Sequence, residues 1–306
     1  MGTTYTVKVA DAPTDLSQDQ LQAAIERVLE KVNDQMSTYR ADSELSKLNS
    51  NNSTQWIDSS TDLLTVVEEA LRVSRLTDGA FDVTVGPLVN LWGFGPDKQE
   101  NQVPTQQQVT DAMSRVGYTN ISTRRLPPAI RKTRRDIYID LSAIAKGYGV
   151  DKIAEHLESL GVHNYLVEIG GDLRAKGHNA EGTPWKIGIE KPVPEQRAVQ
   201  LIIQLQDQGM ATSGDYRNFF EKDGQRFSHT INPRNGMPIT HNLASVTVLS
   251  PTAMGADAMA TALLVMGPET GYMLAKRERL AAYFINRTAD GFVDRSTLQF
   301  KQSIGH

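Results

Sequence analysis

The chain contains no cysteine, so disulfides, thiolate metal sites and cysteine nucleophiles are excluded, and the redox compartment stays open. No apolar run reaches the ~18 residues that a membrane-spanning helix needs, and no cleavable leader pattern opens the sequence. Several catalytic signatures are missing: Gly-x-Ser-x-Gly, His-Glu-x-x-His and the phosphate loop Gly-x-x-x-x-Gly-Lys-Ser/Thr. Gly-x-Gly-x-x-Gly is missing too, which argues against a Rossmann dinucleotide site. A net charge of −4 gives no broad basic surface, so nucleic acid is not an expected partner. The exception is the cluster Arg124, Arg125, Arg131, Lys132, Arg134 and Arg135 around Leu126-Pro127-Pro128, which reads as a solvated hairpin or loop.

What is present fits a folded globular chain: 306 residues, 39% hydrophobic and 22% charged. Tyr5, Val7 and Val9 alternate as in a strand. Ser17 and Gln20 form a capping box ahead of Leu21, Ile25, Val28, Leu29, Val32 and Met36, which follow helical spacing. Further helices are expected from Leu63 to Val73, over 105–116 and over 145–160. Strands are expected over 137–139, 165–169, 185–189, 199–205, 226–229, 244–249 and 281–285, and helices over 253–266 and 268–279. Strands and helices that do not strictly alternate indicate α+β, with mixed or antiparallel sheets packed by helices. The chain reads as one domain over 1–306 with room for two interleaved subdomains, and 96–104 and 124–135 are its softest connections.

Asp140-Leu-Ser-Ala143-Ile-Ala-Lys146-Gly-Tyr-Gly149 follows the short alternating run 137–139 and opens a helix. A helix start offers unpaired N–H groups and the positive end of the dipole, and Lys146 adds a full charge, so a phosphate-bearing ligand is indicated. Gly255 to Leu264 reads as a second such helix, with Ser250 as N-cap and Pro251 at the first helical position. Asp257 and Thr261 are spaced to share one helix face among small and apolar residues. They suit Mg²⁺ if phosphates and a main-chain carbonyl complete the shell. The plainer alternative has Thr261 bonding a helix carbonyl and Asp257 pairing with an arginine. Gly170-Gly171 after a strand permits close backbone approach, or is simply a glycine turn. Among the six histidines, His229 stands out because it enters the turn-forming run Thr230 to Gly236; His306 at the end of the chain reads as solvated.

These segments resemble the ApbE family of flavin transferases. The matching blocks are Met1 to Tyr5, Met36 to Tyr39, Ser43 to Ser46 with Asn49, Gly79 to Gly95, Asp140 to Gly149, Glu168 to Asp172, Ala211 to Tyr216, Ser228 to Gly236 and Gly255 to Leu264, in order. The resemblance implies a Mg²⁺-dependent transfer of FMN from FAD to a Thr or Ser hydroxyl of an acceptor protein, with AMP released. It implies Asp257, Thr261 and the carbonyl of Ala143 as metal ligands and His229 as general base. Met36, Ala80, Phe81, Asp82, Asp140, Lys146, Gly170, Gly171, Asp172 and Ile231 are the implied flavin-nucleotide contacts. Tyr39 and Trp56 are further aromatic candidates for the flavin ring, whereas Trp92 and Phe94 read as packing. The acceptor implied is a subunit of a membrane redox complex, and the location is periplasmic, anchored through a lipidated N-terminus outside this chain. Two alternatives share the same residues: hydrolysis of FAD to FMN and AMP, and flavin binding without catalysis.

Overall fold

The computed structural model describes residues 2–14, 16–95, 103–193, 198–222 and 224–304. Met1, His306 and most of the 96–104 connection lie outside the described residues. The elements run β1 (Tyr5–Val9), α1 (Gln18–Met36), α2 (Glu44–Ser50), β2 (Ile57–Asp58), α3 (Thr61–Leu76), α4 (Gly86–Leu91), α5 (Gln106–Met113), β3 (Ile121–Arg125) and β4 (Pro128–Lys132). They continue with α6 (Ala145–Ser159), β5 (Tyr165–Ile169), β6 (Asp172–Lys176), β7 (Trp185–Glu190), β8 (Val199–Leu205), β9 (Gln208–Gly214), β10 (Phe219–Lys222), β11 (Gln225–Ser228), β12 (Ile231–Asn232) and β13 (Met237–Pro238). The chain closes with β14 (Leu243–Ser250), α7 (Ala253–Met266), α8 (Pro268–Arg277), β15 (Ala281–Thr288), β16 (Gly291–Ser296) and α9 (Leu298–Ser303). Among the described residues, no helix is long and apolar enough to cross a membrane.

Two compact units are assembled from discontinuous stretches. The first comprises Met1–Val32, Ile144–Tyr216 and Asn242–His306; the second comprises Asn33–Ala143 and Arg217–His241. In the first unit a seven-stranded sheet has the order β1-β5-β6-β9-β14-β15-β16, and every pairing is antiparallel. An antiparallel sheet with helices is the expected α+β architecture, distinct from the parallel Rossmann sheet. The period-two geometry of β5 divides its side chains between two cores. Tyr165, Val167 and Ile169 pack with Val150, Ile153 and Leu157 of α6. Leu166 packs with Trp185, Ile187, Ile203 and Leu205 of the β7–β8 hairpin. α7 is buried along nearly its whole length, as its composition of Ala, Met and Leu requires.

The second unit carries the three-stranded sheet β2-β4-β3 and the hairpins β10-β11 and β12-β13. Its core gathers Leu88, Trp92, Val109, Ala112, Phe220, Phe227 and Ile231. Residues 121–132 form the β3–β4 hairpin rather than a soft connection.

Two local expectations are corrected. Residues 137–139 are extended but belong to no sheet. The Asn49 amide takes the place of a neighbouring strand: its Nδ2 donates to the Ile139 carbonyl (2.8 Å) and its Oδ1 accepts from the Ile139 N–H (2.8 Å). The N-cap of α7 is Thr252, whose hydroxyl accepts from the Gly255 N–H at 3.1 Å. Ser250 cannot cap because it remains paired with Gly209 in the sheet.

Candidate functional site

In the first unit α6, α7 and β6 bring three charged side chains together. Lys146 stands in the first turn of α6, Asp257 about one turn into α7, and Asp172 opens β6. Lys146 Nζ lies 2.5 Å from Asp172 Oδ2 and 3.3 Å from both oxygens of Asp257. The side chains of Asp172 and Asp257 are 3% and 4% exposed, and that of Lys146 is 33% exposed. Burial, reinforced by the neighbouring Asp257 charge, pushes the Asp172 carboxyl well above its ordinary value, with Lys146 opposing. Burial also works against the Lys146 ammonium, but the two carboxylates outweigh it and hold the lysine above its ordinary value.

The two helices cap each other. Asp257 Oδ2 on α7 accepts from the Gly147 N–H in the first turn of α6 (3.2 Å). Asp151 on α6 accepts from the N–H groups of Ala253 (3.0 Å) and Met254 (2.9 Å), the first two residues of α7. Each carboxylate thus satisfies N–H groups that a helix start leaves open, at the positive end of the dipole. The anion seat expected at the start of α6 is therefore already engaged, at Gly147, by a carboxylate of the protein itself. Glycine is required there, because a Cβ would stand 2.3 Å from the Ala253 carbonyl oxygen.

A ladder of charges extends this arrangement. Asp172, Arg174 and Lys176 share one face of β6. Lys146, Asp151 and Glu158 of α6 answer them: Asp151 lies 3.0 Å and Glu158 3.7 Å from Arg174, and Glu158 lies 2.9 Å from Lys176. Burial raises the Asp151 pKa, with the two α7 amides and Arg174 opposing. No single segment of the sequence carries this signal, which becomes readable only once α6 and β6 are paired.

Thr261 follows Asp257 by one turn, and its hydroxyl lies 3.0 Å from Ser213 Oγ on β9. The sequence alternatives of an arginine partner for Asp257 and a helix carbonyl for Thr261 give way to Lys146 and Ser213. Gly170 and Gly171 form the two-residue turn between β5 and β6, with φ of 57° and 96°. Positive φ at both positions is what such a hairpin turn demands of its residues.

The second unit holds the other expected contacts. Ala80, Phe81 and Asp82 are buried. The Asp82 carboxylate accepts from the Thr84 N–H (2.8 Å), the Thr84 hydroxyl (2.6 Å) and the Tyr118 N–H (2.8 Å). Burial raises its pKa against these bonds. Asp140 accepts from the N–H (2.8 Å) and hydroxyl (2.5 Å) of Ser142, and its own N–H donates to the Val83 carbonyl (2.7 Å). Ala143 lies in the turn that precedes α6. Met36 closes α1 and is buried, and Ile231 is buried in the aromatic core. Tyr39 is 73% exposed, and the Trp56 ring lies 4.9 Å from the guanidinium of Arg124 and 4.9 Å from that of Arg131.

His229 Nδ1 lies 2.9 Å from the Asn218 carbonyl oxygen. A carbonyl only accepts, so Nδ1 carries the hydrogen and Nε2 is the nitrogen able to take a proton. The Phe94 ring stands edge-on to the imidazole at 6.3 Å.

A sequence model described as the ApbE family matches residues 1–284. A Vibrio cholerae protein named FAD:protein FMN transferase is 49% identical over 301 residues, covering 98% of this chain and 90% of that protein. An Escherichia coli K12 protein of the same name is 40% identical over 303 residues, covering 98% and 86%. The solved structure of the flavin transferase ApbE from Vibrio cholerae superposes with a TM-score of 0.92 at 48% identity, covering 99% of this chain and 96% of that one. The apo form of the Pseudomonas stutzeri flavinyl transferase ApbE gives 0.91 at 40% identity, covering 100% and 95%. Likeness of this extent, in sequence and in backbone over nearly the whole length, makes the chain a member of the ApbE family.

Proposed function

We propose that the protein transfers FMN from FAD to a hydroxyl of an acceptor protein. The observation that carries this reading is full-length similarity to proteins named for that activity, with Lys146, Asp172 and Asp257 gathered at two mutually capped helix starts. The acceptor's Ser or Thr oxygen forms a bond to the phosphorus that bears riboflavin. The bond from that phosphorus to the bridging oxygen breaks, and AMP leaves with the electron pair. Such a displacement gains chiefly from positioning and from neutralisation of charge.

Two buried carboxylates against one ammonium form a donor set suited to a further cation, and the Thr261 hydroxyl adds a neutral oxygen. Asp257 and Thr261 would hold Mg²⁺, which when bound supplies charge for the pyrophosphate. Lys146 neutralises phosphate charge. In the second unit His229 Nε2 takes the proton of the acceptor hydroxyl, with Nδ1 fixed by Asn218. As acceptor we propose a Ser/Thr-bearing segment of a membrane redox subunit, which would place the enzyme outside the cytoplasm.

Incubation with FAD, Mg²⁺ and a candidate acceptor, followed by intact mass, tests the reading. Gain of one FMN on the acceptor is expected. Free FMN and AMP with an unmodified acceptor would replace transfer by hydrolysis, and unchanged FAD would leave flavin binding alone.

A further inference from the structure

Lys146 Nζ is not attached to Asp257 by a single oxygen. It sits 3.3 Å from both Oδ1 and Oδ2, as a cation shared by the two oxygens of a carboxylate would. Asp172 also holds it, at 2.5 Å. Both acids are almost closed to solvent, so their charge must be met by something local. The lysine side chain is one-third exposed and is therefore not sealed into this position.

We propose that Lys146 is a built-in counter-ion for Asp257 that a divalent cation must displace, so that the cation and the flavin nucleotide bind cooperatively. The pyrophosphate offers the ammonium a second set of anionic oxygens. Once the ammonium turns to them, the Asp257 carboxylate is open to the metal. Without the nucleotide, the metal must compete with a positive charge already in contact with both oxygens. Coupling of this kind is reciprocal, so Mg²⁺ tightens FAD by the factor by which FAD tightens Mg²⁺. The inference rests on the assignment of Asp257 to the cation, but its test is a binding measurement that needs no acceptor. A failure of transfer and a failure of coupling are therefore separable.

The experiment is calorimetric titration of Mg²⁺ into the full chain, with and without saturating FAD, for the wild type, Lys146→Gln and Lys146→Met. Lys152→Gln removes a positive charge from the same helix where it pairs with Glu155, and serves as the control. In the wild type FAD should tighten Mg²⁺ by at least about tenfold, within the 5–150-fold usual for linked sites. The two Lys146 variants should bind Mg²⁺ without FAD several-fold more tightly than the wild type, and FAD should help them less. Lys152→Gln should behave as the wild type. A merely supportive lysine predicts the opposite sign, namely weaker Mg²⁺ binding on its removal. Lys146 variants whose Mg²⁺ affinity without FAD is equal to or below that of the wild type would overturn the proposal. So would a wild type that binds Mg²⁺ equally well with and without FAD, a result that needs no variant to fold.

Discussion

At the helix starts of the first unit charges pack against charges, whereas beside His229 in the second unit rings pack against rings. Around α6, α7 and β6 the side chains of Lys146, Asp151, Glu158, Asp172, Arg174, Lys176 and Asp257 each meet an opposite charge. Around His229 aromatic rings gather. Trp92 stacks on Phe227 at 5.5 Å, Phe227 on Phe220 at 5.1 Å, and Phe94 stands between Phe220 and the histidine. Ring packing stabilises through area and dispersion and tolerates small shifts. Paired charges in a closed site tolerate little, because loss of one partner leaves the other uncompensated. The first arrangement suits an anionic ligand and its cation. The second suits a base that must stay in place and meet a neutral hydroxyl.

Removing one group from each region should separate binding from rate. Asp257→Ala is expected to lower FMN transfer by more than the roughly 10²–10³-fold typical of losing one oriented donor, and to abolish the Mg²⁺ response of FAD binding. Its fold should survive, since loss of the Gly147 cap costs about 1 kcal/mol and one of two neighbouring like charges is relieved. Transfer that persists under excess chelator would end the cation assignment. His229→Ala should slow single-turnover transfer by about 10²–10⁴-fold while FAD binding and its Mg²⁺ response remain. If the variant keeps its full chemical rate, His229 is not the base.

Asp151 tests whether the charge-packed region is as brittle as argued. Asp151→Ala strips two α7 N–H groups and Arg174 of an acceptor at once. Arg174 keeps Glu158 and is 22% exposed, so a loss of about 3 kcal/mol is expected, at the lower end for a broken buried pair. Chemical denaturation measures it. A change below about 1 kcal/mol would mean that the apolar contacts of α6 and α7, not the reciprocal caps, set how the two helices meet.

How much of this was readable from the sequence differs between the regions. The capping box of Ser17 and Gln20 forms with both bonds in place, and α3 and α7 fall where apolar spacing put them. Those signals are local. β6 is not legible, because Asp-Leu-Arg-Ala-Lys reads as a polar stretch unless the opposite charges of α6 lie against it. Alternation over 137–139 predicts a sheet strand but says nothing about the partner, which here is the side chain of Asn49. Lys146, Asp257 and Thr261 were legible as candidates. Ser213 and Asp151 were not, since each acquires its role only through a contact distant in sequence.

Asp172 gives the charge-packed region a pH signature. Burial and the Asp257 charge raise its folded pKa, so in the interval between its unfolded and folded values the folded protein holds a proton that the unfolded chain has released. That contribution to stability is complete below the ordinary value of 3.8 and is lost as pH rises through the raised folded pKa. Lys146 adds nothing to this slope near neutrality, being protonated both folded and unfolded. Asp172→Asn should therefore gain on the wild type as pH rises, in urea midpoints taken between about pH 4 and 8. Parallel profiles for the two proteins would show that Lys146 compensates Asp172 completely.

The smallest effect is expected at Ser213, and it sets the boundary of the charge-packed region. Its hydroxyl meets Thr261 Oγ1 at 3.0 Å, a contact between two neutral groups. If Thr261 turns a lone pair towards a cation, its own hydrogen must point elsewhere, and Ser213 Oγ is the acceptor at hand. Ser213→Ala leaves Thr261 in place but free to rotate. A neutral hydrogen bond contributes about 0.5–1.5 kcal/mol, so Mg²⁺ affinity in the presence of FAD should fall by about two- to tenfold with little change in melting temperature. Ser213→Thr keeps the hydroxyl and should recover most of the loss. If Ser213→Ala loses stability while Mg²⁺ affinity is unchanged, the serine belongs to the packing of β9 against α7, and the region that serves the cation ends at Thr261.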